Sequence, residues 1–252
     1  MRLLLINPNT SPDITTLLLR HAHTFAAPDT ELIGATGRFG ARYIVTRAAA
    51  AIAAHAALDA YAEHIERTER AEHVDAVILA CFGDPGLLGL RELAQQPVIG
   101  LAEAACQAAA LNGKHFAIVT GGERWGPMLE EFVAALGLSQ QLACVLTVAP
   151  TGADIARDPD NALALLADTC NEAARLHRAQ VVILGGAGLA GLAARLADQV
   201  IVPLIDPLQV AIQSAETQVA RGFVKPVSGS FAATNPIPTI GLERALQRQM
   251  EH

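Results

Sequence analysis

Val77-Ile78-Leu79-Ala80-Cys81-Phe82-Gly83-Asp84-Pro85-Gly86-Leu87 is the stretch on which the fold turns. Its apolar start, residues 76–80, is short and uncharged, the pattern of a strand buried on both faces of a parallel sheet. The run breaks at Cys81, and a helix is expected within four residues. Asp84 suits its N-cap and Pro85 its first turn, where a missing N–H costs nothing. Cys81 then stands at the carboxyl end of a strand, beside the positive end of a helix. A thiolate is stabilised there, and open α/β sheets hold their ligands at that edge. The competing expectation for a cysteine is a small buried apolar residue.

The stretch occurs twice. Residues 77–87 align without gaps on Val182-Ile183-Leu184-Gly185-Gly186-Ala187-Gly188-Leu189-Ala190-Gly191-Leu192, so that Gly83, Gly86 and Leu87 fall on Gly188, Gly191 and Leu192. Pro97-Val98-Ile99-Gly100 likewise resembles Val202-Pro203-Leu204-Ile205. Outward from both copies the chain alternates strand and helix. Strands are expected at 2–6, 31–35, 76–80, 97–100, 115–120, 142–148, 180–184 and 202–205. Helices are expected after Pro12, with Thr10 or Ser11 as cap, and at 45–72, up to about 94, 102–111 (stopped by Asn112-Gly113), 124–136, 161–176 and 207–220. Thr151-Gly152 and residues 223–235 read as loop, and 240–249 as a short amphipathic helix. This order predicts an α/β fold of two pseudo-symmetric lobes, each a parallel sheet flanked by helices. Residues 1–100 with 207–252 would form one lobe and 101–206 the other. Their strand ends would face each other across a cleft, with position 186 opposite Cys81.

A chain of 252 residues can bury a large core, and 52% apolar with 17% charged residues describes a globular, enzyme-like protein. A net charge of −7 without a basic run argues against nucleic-acid or anionic-membrane partners. Residues 3–6 are too short for a signal peptide and are ended by Asn7-Pro8-Asn9. Residues 181–194 carry four glycines and fall short of the ~20 apolar residues of a membrane span. A cytoplasmic protein is expected. Cys81, Cys106, Cys144 and Cys170 show no C-x-x-C spacing, so neither disulfides nor a zinc site is indicated, and no metal or cofactor is expected. His21 and His23 read as a solvated helix face.

Other groups gather at the same sheet edges. Asn9 follows the first strand, and Thr120 with Gly121 ends the first strand of the second lobe. The amides of Phe82 and Ala187, at helix starts, suit a developing enolate oxygen. Loop residues 39–42 are expected near the pocket. Gly186-Ala187-Gly188-Leu189-Ala190-Gly191, with Asp206 further on, also reads as a dinucleotide fingerprint. It lies late in the chain, however, and the repeat already accounts for its last two glycines. The cleft-edge turns hold no histidine, which argues against a Cys-His hydrolase.

Ile6-Asn7-Pro8-Asn9-Thr10-Ser11, Ala80-Cys81-Phe82-Gly83-Asp84-Pro85-Gly86, Pro97-Val98-Ile99-Gly100-Leu101-Ala102-Glu103-Ala104 and Gly185-Gly186-Ala187-Gly188-Leu189-Ala190-Gly191 resemble the hydantoin and allantoin racemases of the aspartate/glutamate racemase superfamily. The likeness runs from residue 1 to about 222. It implies a two-lobed fold and cofactor-independent proton transfer by two thiols, the first on Cys81. The second would fall at 186, where this chain has Gly186; Cys106, Cys144 and Cys170 lie within expected helices or strands. A related branch, the arylmalonate decarboxylases, works with one cysteine, which the resemblance would place in the second lobe. The implied activity is racemase-like, at the carbon alpha to a carbonyl of a hydantoin, ureide or amino acid. Cys81 is the expected thiolate acid/base, and Asn9, Phe82, Thr120, Gly121, Gly186 and Ala187 the substrate-binding residues. A single-cysteine decarboxylase or isomerase, or a binding homologue without turnover, stays open. The partner expected is a small molecule, and the alanine-rich helices with the likeness favour a homo-oligomer.

Overall fold

The computed structural model describes residues 1–67, 73–111, 114–233 and 235–251. Strands β1 (Arg2–Asn7), β2 (Glu31–Thr36), β3 (Ala76–Leu79) and β4 (Val98–Gly100) form one all-parallel sheet in the order β2-β1-β3-β4. Strands β5 (Phe116–Gly121), β6 (Leu142–Val148), β7 (Val181–Gly185) and β8 (Leu204–Ile205) form a second, in the order β6-β5-β7-β8. The two orders are the same once the second set is counted from its own first strand, as the internal repeat requires.

Side-chain alternation divides the apolar residues among three cores. Leu4, Ile6, Val77 and Leu79 point to the outer face of the first sheet, while Ala117, Val119, Val182 and Leu184 point to the outer face of the second. The opposite parity, Leu3, Leu5, Ile78, Phe116, Ile118 and Ile183, meets in a central core. Two helices fill that core: α4 (Leu101–Ala109), with Ala102, Ala105 and Cys106, and α9 (Pro207–Ala220), with Leu208, Ala211 and Ile212. α4 packs on β7 and α9 on β3 and β4, so each helix touches both sheets or the other helix between them.

The remaining helices are α1 (Pro12–Phe25), α2 (Arg47–Arg67), α3 (Leu87–Leu93), α5 (Trp125–Ala135), α6 (Gly152–Arg157), α7 (Pro159–Leu176), α8 (Leu192–Leu196) and α10 (Arg244–Glu251). α6 stands where a loop is expected, because Thr151 and Asp154 form a reciprocal capping box. The expected helix 45–72 begins at Arg47, and residues 68–72, like the Asn112-Gly113 stop, lie outside the described residues. α10 lays Ala245 and Leu246 on Ala62 of α2. The tail before it is fastened where Lys225 Nζ donates to the carbonyls of Glu92 and Ala94, each at 2.6 Å, closing the carboxyl end of α3.

Among the described residues no helix is long and apolar enough to cross a membrane. His21 departs from the expected solvated face. It is half-buried, and its ring sits so close to Gly191 that a Cβ there would stand 2.2 Å from its Nδ1.

Candidate active site

The two copies of the repeat form matching turns. Asp84 N–H donates to the carbonyl of Cys81 at 3.0 Å, and Leu189 N–H to the carbonyl of Gly186 at 3.0 Å. A turn of this kind does not itself use its two central amides, here those of Phe82 and Gly83 and of Ala187 and Gly188. Gly86 and Gly191 then take the same left-handed conformation, φ 89° and 80°, and Leu87 and Leu192 open α3 and α8. The first turn also meets the second lobe twice: the Phe82 ring covers Gly185, and the Trp125 indole covers Gly83.

Asp84 does not cap α3, as the sequence suggests; Gly86 holds that position and the helix begins at Leu87, beyond Pro85. Asp84 takes φ 48° and turns its carboxylate away, accepting from the amides of Ala102 (2.9 Å) and Glu103 (2.7 Å) at the start of α4. Those orphan amides are the stronger claim on a buried carboxylate. The second lobe makes the same link from the other end. Asp206, the N-cap of α9, accepts from Leu208 (2.9 Å) and reaches back to Gly191 N–H at 2.6 Å. Asp206 is thereby consumed in capping, not left for a ribose.

Between the turns lies a cleft with about 480 Å³ of empty space, lined by Asn9, Ile14, Tyr43, Ile44, Cys81, Phe82, Thr120, Trp125, Gly152, Gly186, Ala187 and Gly188. Among the described residues, no Asp, Glu, Lys, Arg or His is in its wall. Asn9 is fixed through its side-chain oxygen, which accepts from Asn7 Nδ2 and from Ser11 N–H, each at 2.9 Å. Ser11 occupies the N-cap of α1 without a side-chain bond. Tyr43 crosses from the first lobe to the second, where its hydroxyl oxygen accepts from Gly152 N–H at 2.7 Å, and burial pushes that hydroxyl above its ordinary value.

Cys81 is 8% exposed, and burial, reinforced by the Asp84 carboxylate, pushes its thiol up to about 12. Burial thus works against the thiolate that the strand-end position leads one to expect. The reason is geometric: the helix starts six residues later, and the nearest charge is negative. Burial also pushes Asp84 up to about 7, against the pull of its two amide donors.

The structure brings Cys81, Asn9, Phe82, Thr120, Gly186 and Ala187 into one wall. Gly121 falls outside it: it lies behind Thr120, where a Cβ would stand 2.6 Å from the Pro150 carbonyl oxygen. Loop residues 39–42 also miss the cleft; Phe39 stacks edge-on against His55 instead, and the next two residues, Tyr43 and Ile44, do the lining. Ile14, Tyr43, Ile44, Trp125 and Gly152 carry no local sequence signal for this site, whereas Gly188 is marked by the repeat. Outside the cleft, and sharing Ile14 and Tyr43 with it, is a wider vestibule that holds Arg20, Arg42, Arg157 and Asp13. Arg157 is paired with Asp154; Arg20 and Arg42 are exposed. Among the described residues no group of three or more His, Cys, Asp or Glu is placed to hold a metal ion.

Two like α/β lobes with a small, uncharged cleft between their carboxyl edges define a class of two-lobed enzymes that work on small molecules. The chain belongs to the Asp/Glu/hydantoin racemase family, which matches residues 3–215. An allantoin racemase of Pseudomonas fluorescens superposes with a TM-score of 0.88 at 31% identity, covering 96% of this chain and 100% of that one. An allantoin racemase of Klebsiella pneumoniae does so with a TM-score of 0.88 at 33% identity, covering 98% of each. A hydantoin racemase of Paenarthrobacter aurescens is 33% identical over 231 residues, 92% of this chain and 96% of its own. These relatives are isomerases, and the chain is an enzyme of that class.

Proposed function

We propose that the enzyme moves the proton on the carbon alpha to a carbonyl in a neutral cyclic ureide, a hydantoin or a compound like it, with Cys81 as a thiol acid/base. The observation that carries this reading is a thiol in a cleft whose wall has no charged side chain. A free amino acid brings an ammonium and a carboxylate, each of which needs a partner when taken out of water. A hydantoin ring is uncharged and asks only for hydrogen bonds. Of the substrates expected from the sequence, the amino acid is therefore set aside.

In the reaction the ring lies between the two turns, with its acidic carbon at Cys81 Sγ. The amides of Phe82, Gly83, Ala187 and Gly188 are the donors available to a carbonyl oxygen as it becomes an enolate. One such donor is worth about 3 kcal/mol of barrier.

The test is deuterium uptake at the α-carbon of single enantiomers of 5-methylhydantoin in D₂O, with the wild type and Cys81→Ala. Replacement of the thiol is expected to slow uptake by about 10²–10⁴-fold. Uptake that survives Cys81→Ala removes Cys81 from the chemistry. A second reading has one observation in its favour: the position matching Cys81 is a bare glycine, so a single thiol could protonate one face of an enolate formed by loss of CO₂. Release of CO₂ from a methyl-substituted malonate, lost in Cys81→Ala, would favour it over proton exchange.

A further inference from the structure

We propose that the Tyr43 hydroxyl is the second proton-transfer group, standing in for the side chain that Gly186 lacks. The inference rests on the proton-transfer reading above. Racemisation needs groups on both faces of the acidic carbon, and the first lobe supplies Cys81. On the other side the backbone of residues 186–189 is bare. Tyr43 is rooted in the first lobe, but its tip lies with the second. Its oxygen is 2.7 Å from the Gly152 nitrogen, and Gly152 is in such close contact with Gly188 that a Cβ there would stand 2.0 Å from the Gly152 carbonyl oxygen. The hydroxyl thus sits beside the turn that matches the Cys81 turn, on the wall of the same cleft.

A phenol oxygen has two lone pairs and one hydrogen. Gly152 N–H takes one lone pair, so the hydroxyl keeps its own hydrogen to donate to a group in the cleft. Thr120 is the rival: its hydroxyl oxygen lies 3.7 Å from where a Cβ on Gly186 would be. An aliphatic alcohol is, however, a far weaker acid than a phenol.

The reactive form is the pair carrying one negative charge. With Cys81 ionised, its sulfur takes the α-proton, forming S–H and breaking C–H, and the electron pair passes into the enolate. The Tyr43 O–H then breaks, its proton bonding to the opposite face of that carbon as the enolate electrons return. The enzyme is left with a Cys81 thiol and a Tyr43 phenolate, the latter held by the Gly152 N–H donor. The reverse passage of a proton, or exchange with solvent, restores the starting form.

Single enantiomers of 5-methylhydantoin in D₂O separate the roles, with optical rotation followed alongside deuterium content. In the wild type, uptake and loss of rotation are expected together. In Tyr43→Phe, racemisation is expected to fall about 10²–10⁴-fold. Uptake with retained configuration should continue for the enantiomer whose hydrogen faces Cys81. Thr120→Val is measured alongside, and racemisation lost in it but kept in Tyr43→Phe would give the role to Thr120 instead; thermal melts check that each variant folds. Racemisation that persists in Tyr43→Phe, or uptake and racemisation that fall together, overturns the role of Tyr43. A wild type that takes up deuterium without racemising also overturns it, while sparing the one-thiol reading; a wild type that does neither overturns both.

Discussion

Cys81 and Gly186 hold the same place in two copies of one turn, each accepting the N–H of the residue three positions on at 3.0 Å, yet their backbones are not interchangeable. Gly186 takes φ 132°, a conformation side chains rarely adopt, whereas Cys81 is not among the residues of positive φ. The two positions therefore differ in backbone as well as in side chain.

Gly186→Cys is accordingly expected to destabilise the fold, not simply to supply a thiol. Forcing an L-residue into this region costs about 1–3 kcal/mol, or roughly 2–10 °C in melting temperature for a chain of this size. Its Cβ would also press on Leu189 Cδ1 at 3.3 Å. Calorimetry measures the effect. An unchanged melting temperature would mean that the turn relaxes freely.

Alkylation reads the state of Cys81 directly. A thiol pushed up to about 12 is almost wholly protonated at neutral pH, and only the thiolate attacks iodoacetamide. Modification of the Cys81 peptide, tracked by mass spectrometry, is expected to be slow at pH 7.5 and to quicken about tenfold per pH unit up to pH 10. A rate that levels off near pH 8 would mean an activated thiolate after all.

Asp84 ties the Cys81 turn to α4, and its titration carries a definite sign. Its carboxyl is pushed from 3.8 up to about 7 in the fold, so between those values the native state binds more protons than the unfolded chain. That contribution to stability is full at low pH and is lost as pH rises toward 7. The melting temperature of the wild type, relative to Asp84→Asn, should therefore fall between pH 4 and 7. A difference that grows with pH would mean that the two amide donors outweigh burial.

The vestibule arginines suit substrates with an acidic substituent pointing out of the uncharged cleft. Replacing Arg20 and Arg42 together by alanine should raise the KM for hydantoin-5-acetate about two- to tenfold, since exposed charge pairs are worth up to about 1 kcal/mol each. The KM for 5-methylhydantoin should not move. The preference for the acid should also weaken at 0.5 M salt, where screening extends only a few ångströms. Equal effects on both substrates would count against an electrostatic role.

The architecture is legible in the sequence because it repeats: the strand parity, the matching glycines at 86 and 191 and the strand–helix order all leave periodic traces. The sheet-edge residues Cys81, Asn9 and Thr120 are legible for the same reason, since the end of a parallel strand sets the place of its neighbouring residues in the chain. Tyr43 and Trp125 are not. Each reaches the cleft by spanning from its own lobe to the other, and contacts between residues 43 and 152, or 83 and 125, leave no pattern in local spacing. Asp84 misleads because a carboxylate near one helix start can serve another that is distant in sequence. The charge of Cys81 misleads with it, since thiol ionisation depends on burial and on that same carboxylate.

The reciprocal carboxylate links have a mechanical consequence. Asp84 fastens the turn of the first lobe to α4, which packs on the second sheet, and Asp206 fastens the turn of the second lobe to α9, which packs on the first. The lobes are cross-braced, so swinging them apart as rigid jaws would break buried bonds on both sides at once.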